Sequence, residues 1–302
     1  SELDAAGAEV FWFGTGNDKP YNYIHSKVAV RDGNSVWMSS GNWKSSSQPA
    51  PGVRGNVEWS IIIENQQLAD IVLQQMELDT NTQLRHITAY SSSDAPNDWT
   101  MPGVESVSGG GLATSYSVDV TGEVLTCPDN CITGITAMID SATTQVLMSQ
   151  QTLDVDWYWG WGQESPVIES MYEAAKRGVS VRVIINGAYL DDDDQDIIDL
   201  LNEAWNGTEG LDSAAIIMSE DDDVSKLHNK GIIVDGQSVL VSSINLGSSA
   251  MNRNREMGVI IHSEVIAQIY VEGWTADWNR LDNVTDTDQD GLRDIWEVPN
   301  GL

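Results

Sequence analysis

Apolar and polar positions alternate most clearly in two short windows of the chain, and the same window is written twice. Residues 25–43, His-Ser-Lys-Val-Ala-Val-Arg-Asp-Gly-Asn-Ser-Val-Trp-Met-Ser-Ser-Gly-Asn-Trp, align without gaps onto residues 228–246, and nine of the 19 positions are identical. In each, two apolar, β-branched runs flank a Gly-Asn or Gly-Gln pair, which predicts a β-hairpin. Placing the turn between Gly33 and Asn34 sets His25 opposite Asn42 and Lys27 opposite Ser40. The second copy then sets His228 opposite Asn245 and Lys230 opposite Ser243. Residues two apart share a face, so each hairpin is expected to present His, Lys, Ser and Asn together. A slip of one residue would scatter them. Similarity continues downstream, where Asn56-Val-Glu58 and its apolar strand match Asn254-Arg-Glu256 and its own. A helical stretch follows each, over 68–76 and 265–278.

Between the copies the period changes. Helices are predicted over 132–142, 165–177 and 196–205, with buried strands over 145–149, 179–185 and 214–218. A strand is expected over 8–13. Only 24 residues precede His25, so the first unit lacks whatever corresponds to 132–205. Two readings follow, a chain truncated at its N-terminus or a degenerate first copy. Truncation is favoured because the first hairpin keeps every polar residue of the second. The organisation expected is a first unit at 1–90 (incomplete), a Ser/Gly/Pro-rich linker at 91–112, a second unit at 113–282 and a C-terminal segment at 283–302. The acidic runs at 191–194 and 220–223 read as solvated loops.

Composition narrows the chemistry. The chain has 302 residues, room for about two domains, and 41% of them are hydrophobic. No apolar run approaches the roughly 18 residues of a membrane helix. Lys and Arg number 15 against 46 Asp and Glu, a net charge of −31. That disfavours binding of long nucleic acid, which needs clustered cations, although Arg253 and Arg255 offer one local basic patch. Trp (12) outnumbers Phe (2), and Trp157 to Trp161, at the expected carboxyl end of a strand, suit either lipid contact or packing between units. Cys127 and Cys131 read as a small disulfide loop in an exported protein, or as a free pair or partial metal site.

The polar set of the two hairpins fits a phosphate ester. Lys27 and Lys230 neutralise nonbridging oxygens, and Ser40, Asn42, Ser243 and Asn245 donate hydrogen bonds. One imidazole can attack phosphorus, and the other can protonate the leaving alcohol. Such a site calls for no catalytic metal.

At this point the chain resembles the phospholipase D superfamily, whose signature is a duplicated His-x-Lys-x4-Asp. Both copies are intact, as His25, Lys27, Asp32 and His228, Lys230, Asp235. The following Gly-Ser-x-Asn appears as Ser39-Ser40-x-Asn42 and Ser242-Ser243-x-Asn245, with Ser in place of Gly in both. The segment 173–183 also resembles the helix-to-strand step of cardiolipin-synthase-like members. The resemblance implies an α/β fold of two pseudo-twofold-related halves, each a mixed β-sheet flanked by helices, forming an intramolecular pseudo-dimer in a monomeric chain. It implies His25 as nucleophile, oriented by Glu256, and His228 as general acid/base, oriented by Glu58. Asp32 and Asp235 brace their turns. The implied activity is cleavage or transfer of phosphodiesters, with phospholipid as substrate and peripheral membrane contact. A metal-independent nuclease and a noncatalytic phosphate-binding surface module are the alternatives.

The C-terminal segment carries a second pattern. Asp286, Asp288, Asp290, Leu292 (by its carbonyl), Asp294 and Glu297 have the 12-residue spacing of a calcium loop, with Gly291 at the sharp turn. It is similar to an EF-hand loop lacking its exit helix, and closer to the Asp-rich thrombospondin type 3 repeats. A structural Ca2+ and an extracellular or cell-surface location are expected from it.

Overall fold

The computed structural model describes residues 7–14, 19–50, 52–81, 87–90, 116–157, 164–188, 192–206, 208–218 and 224–282. The linker at 91–112, most of the aromatic run after Trp157, the acidic run at 220–223 and the calcium-loop residues Asp286 to Glu297 lie outside them.

In chain order, strand β1 spans Phe11–Phe13, β2 Val28–Arg31, β3 Ser35–Ser39, β4 Gly55–Val57 and β5 Ser60–Glu64. Helix α1 follows at Gln66–Asp79 and β6 at Ile87–Ala89. The second unit runs β7 Thr121–Cys127, α2 Cys131–Asp140, β8 Gln145–Gln150, α3 Pro166–Lys176 and β9 Ser180–Asn186. It continues through α4 Asp192–Asp199, which widens into a π-helical turn at Leu200–Trp205, then β10 Asp212–Met218 and β11 Val224–Leu227. The repeat proper closes it, with β12 Lys230–Val234, β13 Ser238–Ser242, α5 Ser248–Arg253, β14 Glu256–His262 and α6 Glu264–Asp282. The run at 191–194 therefore opens a helix from Asp192 rather than forming a loop.

Local chemistry accounts for the boundaries. Asn65 caps α1 by accepting from Leu68 N at 2.9 Å. Pro166 opens α3, where its missing N–H costs nothing. Gly178, at φ +87°, ends it in a left-handed turn that Gly adopts without strain.

The two halves are unequal. The second is a seven-stranded mixed sheet, ordered β10-β9-β8-β12-β13-β14-β7, and the first a three-stranded sheet, β2-β3-β5. Alternate residues of β12 and β13 enter different cores. Ile232 and Leu240 pack with residues of α2, α3 and α4. Ile233, Val239 and Val241 pack with α6 residues and with Val36, Met38, Trp59, Ala69 and Val72 of the first half. Among the described residues, these apolar side chains of the first half share their core with the second. The outer face of the first half is open, with Ile62 64% exposed, whereas the aligned Ile260 is buried. No helix among the described residues is long and apolar enough to cross a membrane.

Trp59 is central to the docking. Its ring lies against Gly231, where an added Cβ would fall 2.1 Å from Cε3. Gly231→Val is expected to destabilise the protein by about 1–3 kcal/mol through overpacking, read as a lower urea midpoint at unchanged slope.

The hairpin register differs by one residue from the sequence expectation. Arg31 pairs with Ser35 and Val234 with Ser238. Asp32 (φ 53°) and Gly33 (φ 64°) both take the left-handed conformation, as do Asp235 and Gly236. The short polar side chain of Asp makes that conformation accessible, so the turn forms on Asp-Gly rather than Gly-Asn. Lys27 consequently faces Ser39, whose N–H donates to Lys27 O, and Ser40 lies one step further on.

Candidate active site

The displaced serines acquire a different partner. Ser40 Oγ donates to Glu58 Oε2 and Ser243 Oγ to Glu256 Oε2, both at 2.5 Å. Each glutamate then reaches across to the histidine of the opposite half. His25 Nδ1 lies 2.8 Å from both oxygens of Glu256, and His228 Nδ1 lies 2.8 Å from Glu58 Oε1. Asn56 and Asn254 donate to Glu58 and Glu256, each at 3.3 Å. The backbone repeats the pattern, since His228 N donates to Val57 O and His25 N to Arg255 O. Strands β11 and β4 pair in parallel beside it and join the halves.

A bond from Glu to Nδ1 fixes the tautomer and leaves Nε2 available for chemistry. The structure therefore holds two imidazoles in matching Ser–Glu–His chains, each assembled from both halves. Lys27 Nζ and Lys230 Nζ donate to the carbonyls of His25 and His228, and Lys230 also to Gln151 Oε1. Each ammonium has three protons, so at least one on each remains for a ligand.

Burial shapes the electrostatics. It pushes the Lys27 ammonium down to about 8, with Glu256 and Glu58 opposing. It pushes the fully buried Lys230 well below the usual lysine value. Lys226, two residues before His228, is lowered by burial and then by the neighbouring Lys44. Four of the chain's six lysines thus gather here, a positive focus within a protein of net charge −31. Burial also lowers His228, against the opposing bond from Glu58. Burial raises Glu58, but hydrogen bonds from His228, Ser40 and Ser47 and the charge of His228 hold it below the ordinary carboxylate value.

Other sequence candidates lie elsewhere. Asp32 and Asp235 sit at the turn ends of their hairpins, away from the imidazoles. Asp235 accepts five hydrogen bonds from Thr143, Thr144 and Gln145. Asn42 is half-buried, and the side-chain oxygen of Asn245 is buried without a partner. Arg255 does not contribute to a basic surface patch. It is 3% exposed, because its guanidinium is consumed by Asp79, Asp129, Cys127 O and Tyr21. Arg253 alone of that pair is exposed. Cys127 and Cys131 are joined as a disulfide. Trp157 is buried in the core of the second half. Among the described residues no cluster of three or more His, Cys, Asp or Glu could hold a metal ion. Sequence reasoning missed Asn56, Asn254 and Gln151, although Asn-x-Glu stands in both copies.

A family model described as cardiolipin synthase, PLD-like domain, matches residues 1–80 and 135–278. The phospholipase D of Rickettsia conorii is 25% identical over 155 residues, 50% of this chain and 68% of that protein. The mitochondrial cardiolipin hydrolase of Xenopus tropicalis is 31% identical over 108 residues, 35% of this chain and 45% of that protein. Among solved structures, phosphatidylserine synthase from Haemophilus influenzae Rd KW20 has a TM-score of 0.55 at 14% identity, over 83% of this chain and 61% of that one. That likeness is one of fold.

Proposed function

This chain belongs to the cardiolipin synthase, PLD-like domain family, and on that premise we propose that it cleaves or transfers the phosphodiester of a phospholipid through a covalent phosphohistidine. The observation that carries the reading is the crossed pair, His25 on Glu256 and His228 on Glu58, beside two buried lysines. The diester anion binds between the imidazoles, its nonbridging oxygens accepting hydrogen bonds from Lys27 and Lys230. Turning over the Asn245 amide presents Nδ2 to the same anion.

His25 Nε2 attacks phosphorus, and the N–P bond forms as the bond to the leaving alcohol breaks. His228 gives that alcohol its proton. Water or a second alcohol then loses a proton to His228 and displaces His25. Burial favours the neutral form of His228, and an arriving anion favours its protonated form. A phospholipid substrate agrees with the names of the Rickettsia and Xenopus relatives, and the net charge of −31 disfavours long nucleic acid as the rival. On sequence spacing alone, the loop at Asp286–Glu297 is read as a structural Ca2+ site, and such a loop suits an extracellular or surface protein.

The test is peptide mass spectrometry after an acid-free quench, with phosphatidylcholine vesicles and single-stranded DNA offered separately. A phosphatidyl adduct on His25 supports the lipid reading. A nucleotide adduct moves the chain to the nuclease branch, and no adduct with either favours the phosphate-binding module or another substrate.

The depressed Lys27 value has a sign that can be checked. The ammonium form, which binds the anion, is lost as pH rises through about 8. The pH profile of kcat/KM, which reports the free enzyme, is expected to fall about tenfold per unit above that point. Competitive inhibition by inorganic phosphate should weaken in parallel.

A further inference from the structure

Arg255 stands between Asn254 and Glu256, where the first copy has Val57 between Asn56 and Glu58. The two backbones do the same work. Val57 O accepts from His228 N at 3.1 Å, and Arg255 O from His25 N at 2.8 Å. The side chains do not. Val57 packs at the margin of the apolar core between the halves. The Arg255 guanidinium is buried and reaches four other groups. Nε donates to Asp79 at the end of α1. Nη1 donates to Cys127 O at 2.9 Å and to Asp129, both in the loop closed by the disulfide. Nη2 donates to the Tyr21 hydroxyl, and the group lies 4.3 Å from the centre of the Tyr21 ring. Arg255 N also donates to Tyr23 O.

Cohesion alone does not call for this arrangement. Buried ion networks are often matched or bettered in stability by apolar residues of similar volume, and Val57 supplies the equivalent backbone contact without one. What differs between the copies is how the histidine is held. The His228 side chain is 5% exposed. The His25 side chain is 31% exposed, and its segment meets the second half through an isolated bridge, Ile24 to Arg255. The open histidine is the one whose flanking Tyr21 and Tyr23 are gripped by Arg255.

We infer that Arg255 is a positioning residue for the reaction. It holds the segment carrying His25 against the start of β14, so that Nδ1 meets Glu256, and it ties that position to the disulfide loop through Asp129 and Cys127 O. This rests on the reading of His25 and Glu256 as a working pair.

The experiment compares wild-type protein, Arg255→Lys and Asp129→Asn. Arg255→Lys keeps the charge and loses the planar fork, and Asp129→Asn changes a half-exposed group. Two readouts are taken on folded protein. One is the far-downfield Nδ1–H resonance of each imidazole, assigned with His25→Gln and His228→Gln. The other is kcat and KM on a p-nitrophenyl phosphodiester. In Arg255→Lys the His25 resonance should be lost and that of His228 retained. There kcat should fall at least tenfold with KM changed less than twofold, and Asp129→Asn should lower kcat about threefold. Retention of both resonances in a folded Arg255→Lys overturns the inference. So does a kcat that falls only with the folded fraction. If Arg255→Lys does not fold, an unchanged His25 resonance in Asp129→Asn overturns it. If the wild-type protein turns over no diester, the functional reading fails, and the resonances still decide whether Arg255 positions His25.

Discussion

With bis(p-nitrophenyl) phosphate, His228→Ala is expected to release about one equivalent of nitrophenolate and then stall, whereas His25→Ala releases none. The difference follows from the leaving group. Nitrophenolate departs without a proton, so the attack by His25 survives loss of the general acid. The phosphohistidine formed then waits for a water that nothing deprotonates. Steady-state kcat should fall by roughly 10^4- to 10^6-fold in either variant, since groups acting as a unit are each nearly indispensable. The burst and the adduct distinguish them. Stopped-flow absorbance and mass spectrometry of the quenched protein make the check. A burst in His25→Ala and none in His228→Ala would exchange the two roles. Glu256→Gln should resemble a weak His25 lesion and Glu58→Gln a weak His228 lesion, because each carboxylate serves the histidine of the opposite half.

The largest effect on stability is expected at Asp235. Its carboxylate accepts from Thr143 N, Thr144 N and Gln145 N and from both threonine hydroxyls, at 2.8–2.9 Å. Its φ of 54° adds a conformation that alanine adopts at a cost of about 1–2 kcal/mol. Asp235→Ala should therefore cost on the order of 3 kcal/mol or more at pH 7, measured by urea denaturation. Asp32→Ala removes a side chain that is exposed and makes no comparable set of contacts among the described residues. It should cost about 1–2 kcal/mol, from the backbone alone. Burial raises the Asp235 carboxyl, but the donors from 143–145 outweigh it and hold it far below the ordinary value. A depressed carboxylate contributes stability that is present above its unfolded value, near 4, and lost as pH falls toward the folded one. The gap between wild type and Asp235→Asn should hold from pH 7 to 5 and close below about pH 4. A gap that widens in acid would contradict this account.

Much of the site was legible because the chain repeats itself. One His-x-Lys would say little. Two, each followed at matching offsets by Ser-x-Asn and then by Glu58 or Glu256, bring together side chains 231 residues apart, as in His25 and Glu256. What escaped was set by conformation and by packing at a distance. Apolar alternation places strands but not the turn between them, and the willingness of Asp32 and Asp235 to go left-handed moved the register by one residue. The serines remained useful because their partners, Glu58 just before β5 and Glu256 at the start of β14, do not stand across the hairpin. Arg255 carries a charge in the sequence, and only the fold shows that Asp79 and Asp129 converge on it from 176 and 126 residues away. The disulfide between Cys127 and Cys131 was one of several readings until the loop was seen closed. The dependence of the first half on the second was also hidden, since β2, β3 and β5 look self-sufficient as a pattern.

Because each Glu–His pair is made from both halves, the proposed chemistry is expected to wait on their assembly. In a nascent or partly opened chain each hairpin still carries its histidine and lysine, yet neither imidazole has its carboxylate, because that group belongs to the other half. Such a chain presents phosphate-binding side chains without an oriented nucleophile or acid. On the proposed reading, a chain that cleaves diesters is expected to stay inert until Trp59 seats on Gly231 and the halves close.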